Sequence, residues 1–350
     1  MRQCFSIGLF ALLVLSLPGC GGFRDTKPQL PGNLDTLCMP DYASGFEMYR
    51  YDSSTLLRIV NPWQGADSVS PWVFLSRDDE KPPKGFAGET IDVPVRRIVC
   101  MSSSYVAFLE ALGADSTICA ISGTGYIWSD KVRNRIAGGE IAEAGFDNSL
   151  NFEKLVALKP DVVFLYGLTG KNAVTDKLHE LGLKTVYIGD YVENNPLGRA
   201  EWITVFGEFT GRRELARTLF DSISNEYNRA KALVSGVEKR PEVMLNAPWQ
   251  DSWFVPGDRS YMVRLLEDAG GNYACRGVDS DQSRPISTET AFVAASQSDF
   301  WLSPGTATSL AELNAMNPRF GSIPPVRNGN VYNNNARTTP EGGSDFWESG

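Results

Sequence analysis

The chain has a single histidine, His179, among 350 residues, and that scarcity removes whole classes of chemistry. A Ser-His-Asp triad or a histidine-rich zinc site would have to be built around this one imidazole. His179 lies in TDKLHELGLK, which reads as a surface helix, so an inert histidine is expected. Basic charge is also short: 33 Lys and Arg against 42 Asp and Glu leave a net charge of −9. Nucleic acid is therefore not an expected partner, because phosphate binding needs a basic surface. Cysteine is sparse as well. Cys4 and Cys20 fall in the first twenty residues, and Cys38, Cys100, Cys119 and Cys275 show no CxxC or zinc-type spacing. Their pairing stays open, although Cys100 and Cys119 sit in apolar runs typical of buried thiols. Gly123-Thr124-Gly125 is too short for a dinucleotide fingerprint. Asp251, Glu193 and Glu341 lack the spacing of a catalytic carboxylate pair, so the reading is not an enzyme.

Long apolar runs are confined to the N-terminus. MRQCFSIGLFALLVLSLPGC has Arg2, an apolar stretch from Phe5 to Leu17, and then Pro18-Gly19-Cys20. The stretch is short for a bilayer span and reads as an export signal over residues 1–20. Small residues before a cysteine resemble the bacterial lipoprotein box. That resemblance implies cleavage before Cys20 and a diacylglycerol on its thiol, the one membrane attachment expected. The rest is then extracytoplasmic, in the bacterial envelope or periplasm. Residues 21–93 read as a Gly- and Pro-rich tether followed by a small β-meander, FEMYRY, TLLRIV and WVFLSR, covering a sheet edge.

Proline is missing from Leu197 to Ser235, and this stretch organises the remainder. Leu215, Leu219, Ile223, Tyr227, Ala230 and Val234 recur at helical spacing, which puts them on one face of a helix. Gly211 predicts a break, leaving a helix from Arg212 to Ser235 about 36 Å long. Such a helix can join two domains. On both sides of it strands alternate with helices, the pattern of parallel sheets. The fold class expected is α/β, two parallel-sheet lobes (94–196 and 236–350) joined by one backbone helix (197–235), with a ligand cleft between them.

The lobes share a grammar. VRRIVCMSSSYVAFLEALGA predicts a strand, a polar loop and a helix from Tyr105 to Leu112, with hydroxyls such as Ser103 able to cap it or meet an oxygen-rich ligand. NFEKLVALKPDVVFLYG is echoed by STETAFVAASQSDFWLSPG, pairing Glu153 with Glu289 and Asp161 with Asp299. Ligands of parallel sheets bind at the carboxyl ends of strands. Those ends carry Tyr126, Trp128, Tyr166 and Tyr191 in the first lobe. The second lobe offers Trp249, Trp253, Asn335 and, near the end, Phe346 and Trp347, with Tyr261 opening a helix. Tyr105 is counted with the first group as a candidate ligand contact.

VRRIVCMSSSYVAFLEALGA, NFE…LKPDVVF, PLGRAEWITVFGEFTG and NAPWQDSWFVPGDRSYM together resemble the iron-siderophore/cobalamin class of periplasmic binding proteins, the receptors of ABC importers. The resemblance covers about Pro94 to Gly350. It implies a monomer that moves little on binding and hands a small-molecule chelate to a permease dimer with its ATPase. It further implies that Glu153 and Glu289 dock into arginine pockets of the permease. No cofactor or protein-held metal is expected, since iron would arrive already chelated. A ferric siderophore is the first expectation and cobalamin or haem the alternatives. Arg199 and Arg337 are candidates to neutralise the ligand's anionic oxygens. One departure stands out: DFWESG falls where the family continues into a closing helical segment, so the second lobe is either trimmed or incomplete.

Overall fold

Each lobe is built on a parallel sheet whose strands are mostly apolar runs, as strands covered on both faces must be. In the computed structural model, which describes residues 35–66, 69–146, 149–167, 173–249 and 252–349, the first sheet has five strands. Their spatial order is Thr185–Tyr187, Val162–Leu165, Ile98–Cys100, Ile118–Ile121 and Ala142–Glu143. The second sheet runs Asn272–Tyr273, Glu242–Leu245, Phe300–Leu302, Val331–Tyr332, also parallel. In both, the chain starts in the interior, grows one way, and then returns to the other side of its first strand. That reversal opens a crevice at the carboxyl ends of the strands. The two-lobed α/β expectation holds.

The echo between lobes has a structural cause. Asp161 Oδ2 accepts the backbone N–H groups of Arg96 and Arg97 at 2.6 and 2.9 Å, while its own N–H donates to Arg97 O. In the second lobe Asp299 Oδ2 accepts from Glu242 N at 3.0 Å, and Asp299 N–H donates to Glu242 O. Each aspartate thus ties a helix–strand turn to the first strand of its lobe.

The segment before the first lobe forms a five-stranded sheet in sequence order, from Asp35–Cys38 to Glu89–Asp92, antiparallel except for its last pair. It does more than cover an edge. Phe46, Leu57 and Ile91 lie in the same buried cluster as Ile98, Tyr105 and Phe206. Two buried carboxylates fasten the turn that enters it. Glu201 accepts the N–H groups of Asp41, Tyr42 and Ala43, and Glu193 those of Ser44 and Gly45 together with Trp202 Nε1–H. Glu193 therefore serves the fold, not a carboxylate pair.

The proline-free stretch becomes three helices, Pro196–Glu201, Ile203–Thr210 and Arg213–Leu233, with the break at Gly211, whose φ is 70°. The last one joins the lobes. Near its start Arg217 pairs with Asp41 at 3.7 Å, and near its end Tyr227 and Lys231 bond Asp268 of the second lobe at 3.0 and 2.8 Å. The apolar face read from the spacing is not the buried one. Leu215 and Ile223 are 41% and 44% exposed, and the buried positions are Ala216 and Phe220. The reason is a close helix crossing: a Cβ on Gly207 would stand 2.5 Å from that of Ala216, so this contact sets the rotation of the helix. His179 lies on the outer helix Ala173–Glu180, with Nε2 2.7 Å from Thr185 Oγ1. The four described cysteines are free thiols, Cys100 and Cys119 buried as expected.

At the turn into the joining helix, Glu208 is buried against Arg213, Arg77 and Thr55. Burial alone would raise its carboxyl, but the Arg213 hydrogen bonds and charge, with Thr55 and Arg77, outweigh it and hold the group below the usual carboxylate range. A depressed folded pKa contributes stability that is present above the unfolded value of about 4.3 and is lost as pH falls through the folded one. Glu208→Gln is therefore expected to destabilise at pH 7, with a smaller gap to wild type at an acid pH below the usual carboxylate range. Urea unfolding at the two pH values measures it; a gap independent of pH would show that the ion pairs contribute nothing.

Candidate ligand-binding site

The crevice of the first lobe is bordered by the loop after Cys100 and the start of helix Ser103–Ala111. Ser102 precedes the helix without capping it; its hydroxyl lies 3.0 Å from that of Ser104. Ser103 is half-buried at the helix start. Across the crevice Asp190 is buried after strand Thr185–Tyr187. Its Oδ2 has no hydrogen-bond partner, and Arg199 Nε stands 3.7 Å away. Burial raises the Asp190 carboxyl above its ordinary range, against the opposing charge of Arg199 and a hydrogen bond from Ser104.

Arg199 is where the lobes meet. Its guanidinium lies 5.6 Å from the ring centre of Tyr261 in the second lobe, and Nη2 donates to Trp347 O at 3.2 Å. Tyr261, half-buried at the start of helix Tyr261–Asp268, is thus brought beside Arg199. The second-lobe crevice is marked by Asn246 and Ser303, directly after strands Glu242–Leu245 and Phe300–Leu302. Both adopt left-handed backbone, φ 63° and 56°. Strained backbone of this kind clusters at functional sites; Asn246 Nδ2 donates to Phe254 O at 3.1 Å and its carbonyl accepts from Trp301 Nε1 at 2.7 Å.

Further predicted residues lie on the first-lobe rim, except Asn335, which is bonded to the second lobe. Tyr126 is 43% exposed, its ring 6.2 Å from that of Phe146. Trp128 carries the Arg337 guanidinium 5.7 Å from its ring centre, while Arg337 also pairs with Asp345 at 2.9 Å. Trp347 is exposed beside Phe346. Tyr166 is half-buried at a strand end, and the Tyr191 hydroxyl donates to Gly167 O. Asn335 Nδ2 donates to Ala307 O at 3.2 Å.

Two predicted contacts are corrected. Tyr105 is wholly buried, and its hydroxyl donates to Leu165 O and Ile188 O at 3.2 and 3.0 Å. The helix begins at Ser103, so Tyr105 falls on its inner face. Trp253 is also wholly buried, donating to Leu245 O and packing on Trp301 and Phe320 in the second core. Strand alternation turns it inward, opposite to the exposed Phe254. The backbone of Trp249 belongs to strand Pro248–Trp249, but its side chain, like Asp251 and Cys20, lies outside the described residues.

Sequence reading missed Trp63, Asp190, Asn246 and Ser303. Trp63 sits on Gly167, where any Cβ would meet its ring at 2.7 Å. The last three directly or closely follow strands, and that strand-end position is the signal the sequence carries for them. Two grooves of about 380 and 540 Å3 lie elsewhere, around Gly211–Arg217, and neither is lined by rim residues.

The family model described as periplasmic binding protein matches residues 98–338. An uncharacterized lipoprotein of Methanocaldococcus jannaschii is 26% identical over 384 aligned positions, covering 100% of this chain and 89% of the relative. The fold is similar to the periplasmic haem-binding protein HutB of Vibrio cholerae, with a TM-score of 0.58 at 18% identity over 72% of this chain and 95% of that one. It is also similar to a possible iron-binding periplasmic protein of Staphylococcus epidermidis, with a TM-score of 0.55 at 20% identity over 69% and 90%. The Vibrio cholerae vitamin B12 binding protein BtuF gives 0.51 at 14% over 71% and 92%.

Proposed function

Because this chain belongs to the periplasmic binding protein family, we propose that it is a lipid-anchored receptor that captures a ferric siderophore outside the cytoplasm and passes it to an ABC importer. The observation that carries the reading is the pair of sheet crevices, Ser102–Ser104 with Asp190 and Asn246 with Ser303, on two lobes joined by one helix. A chelate that brings its own ligands asks the protein for hydrogen bonds, charge and aromatic surface, not for metal-binding side chains. Hydroxyls, Arg199, Tyr126 and Tyr261 supply those. The Cys20 lipobox and the lipoprotein name of the archaeal relative support the anchor. Among the described residues no helix is long and apolar enough to cross a membrane.

A flat macrocycle is the second reading, favoured by the neighbouring exposed rings of Tyr126 and Phe146 on one rim. Thermal unfolding with ferric tris-catecholate, ferric tris-hydroxamate, cobalamin and haemin decides between them. A cognate ligand at about 100 times its Kd should add about 2.7 kcal/mol of stability. Stabilisation by a ferric chelate alone supports the first reading and by cobalamin or haemin alone the second. No stabilisation by any would reject both.

A further inference from the structure

After Asn335 the chain leaves the second lobe and runs along the rim of the first. Thr339 Oγ1 donates to Gly125 O at 2.8 Å. The Glu348 carboxylate accepts from Trp128 N and Ser129 N at 2.6 and 3.2 Å, at the entrance of helix Asp130–Ala137. Helix Asp345–Ser349 lies against helix Ser103–Ala111. Glycine on both sides permits the approach: a Cβ on Gly343 would stand 2.0 Å from Tyr126 O, and one on Gly125 2.9 Å from Glu341 Cγ. This fit is specific, yet no residue from Asn335 onward belongs to a hydrophobic core. The tie is polar, and burial, with the like charges of Glu110 and Asp345, raises the Glu348 carboxyl.

We propose that residues Asn335–Ser349 are a latch, which holds the second lobe to the cargo-facing rim of the first and must open before a ligand can occupy that rim. The strap's Arg337 guanidinium lies 5.7 Å from the ring centre of Trp128, so latch and cargo contend for that ring face. Only the cargo step rests on the binding-protein reading.

The closed latch is testable without cargo. Gly343→Ala should lift the strap off Tyr126 O and speed hydrogen exchange of the Trp128 and Ser129 amides about tenfold or more. Glu348→Gln should do the same to a smaller degree. Gly125→Cys with Glu341→Cys should lock the latch, since their Cβ atoms would stand 3.5 Å apart, the spacing of a disulfide. Cys38→Ser in that variant prevents mispairing. Unchanged exchange in Gly343→Ala, or failure of the cysteine pair to form under oxidation, would overturn the latch. For the cargo step, whichever of the four chelates stabilises wild type should bind the oxidised double-cysteine protein at least tenfold more weakly, with recovery on reduction. Equal binding in both redox states would overturn the gating role while leaving the receptor reading intact. If no chelate stabilises wild type, the receptor reading falls and the exchange data still decide the latch.

Discussion

Glu201→Ala is expected to lower the unfolding free energy by about 3–5 kcal/mol. Glu201 is wholly buried, and its two oxygens accept the N–H groups of Asp41, Tyr42 and Ala43, each at 2.9 Å. Those donors lie about 160 residues away in sequence, so one side chain closes a very long loop. Truncation leaves the donors without an acceptor. An unmade hydrogen bond in a buried site costs about 1–3 kcal/mol, and water reaches only the outer part of this turn. Glu201→Gln keeps one acceptor oxygen but aims an amide N–H2 at other donors, so its loss should fall between wild type and alanine. Urea unfolding gives the ranking, and hydrogen exchange should show Asp41–Gly45 loosening first. A loss below about 1 kcal/mol in the alanine variant would mean that Phe46 and its neighbours hold the sheet without the carboxylate.

Such pins explain which parts of this protein were legible in its sequence. Periodicity and turn chemistry report contacts within a few residues, and they gave the two lobes, the Gly211 break and the matched aspartates. The rotation of the joining helix was not legible. It depends on Gly207 meeting Ala216, a contact that the apolar spacing of Leu215 and Ile223 does not encode. Trp253 and Tyr105 were misplaced for a related reason. An aromatic residue near a strand end reads alike whether it faces the rim or the core, and its face follows from the exact start of the element. Asp190 and the strap show a third limit. Their partners, Arg199 for the first and Trp128 for the second, come from elements that only the packed lobes bring together. Charge on an irregular run carries no local signal of its docking site.

Reversing the charge of both Glu153 and Glu289 should leave ligand capture intact and reduce uptake about 100-fold, against about tenfold for either change alone. Glu153 is the second residue of helix Phe152–Leu158, whose start is capped by Asn151. Glu289 is the second residue of helix Thr288–Ser296, capped by Ser287. Both are exposed, and each helix runs into the strand that the lobe's aspartate ties down. The two carboxylates are therefore equivalent points on two equivalent lobes. We propose that this pair docks the receptor: its cleft must be aligned over one pore, and two like charges at fixed separation would set that register against cationic pockets. Acidic groups in a first helical turn also complement the helix dipole, worth about 0.3–1 kcal/mol each, so arginine there lowers stability slightly. That loss is too small to explain a 100-fold defect, which requires about 2.7 kcal/mol at the docking step. Calorimetry on the purified receptor, paired with uptake by cells that depend on it, separates the two. Normal transport by Glu153→Arg/Glu289→Arg would remove the docking role, and lost ligand affinity would place these glutamates with the cleft instead of the permease.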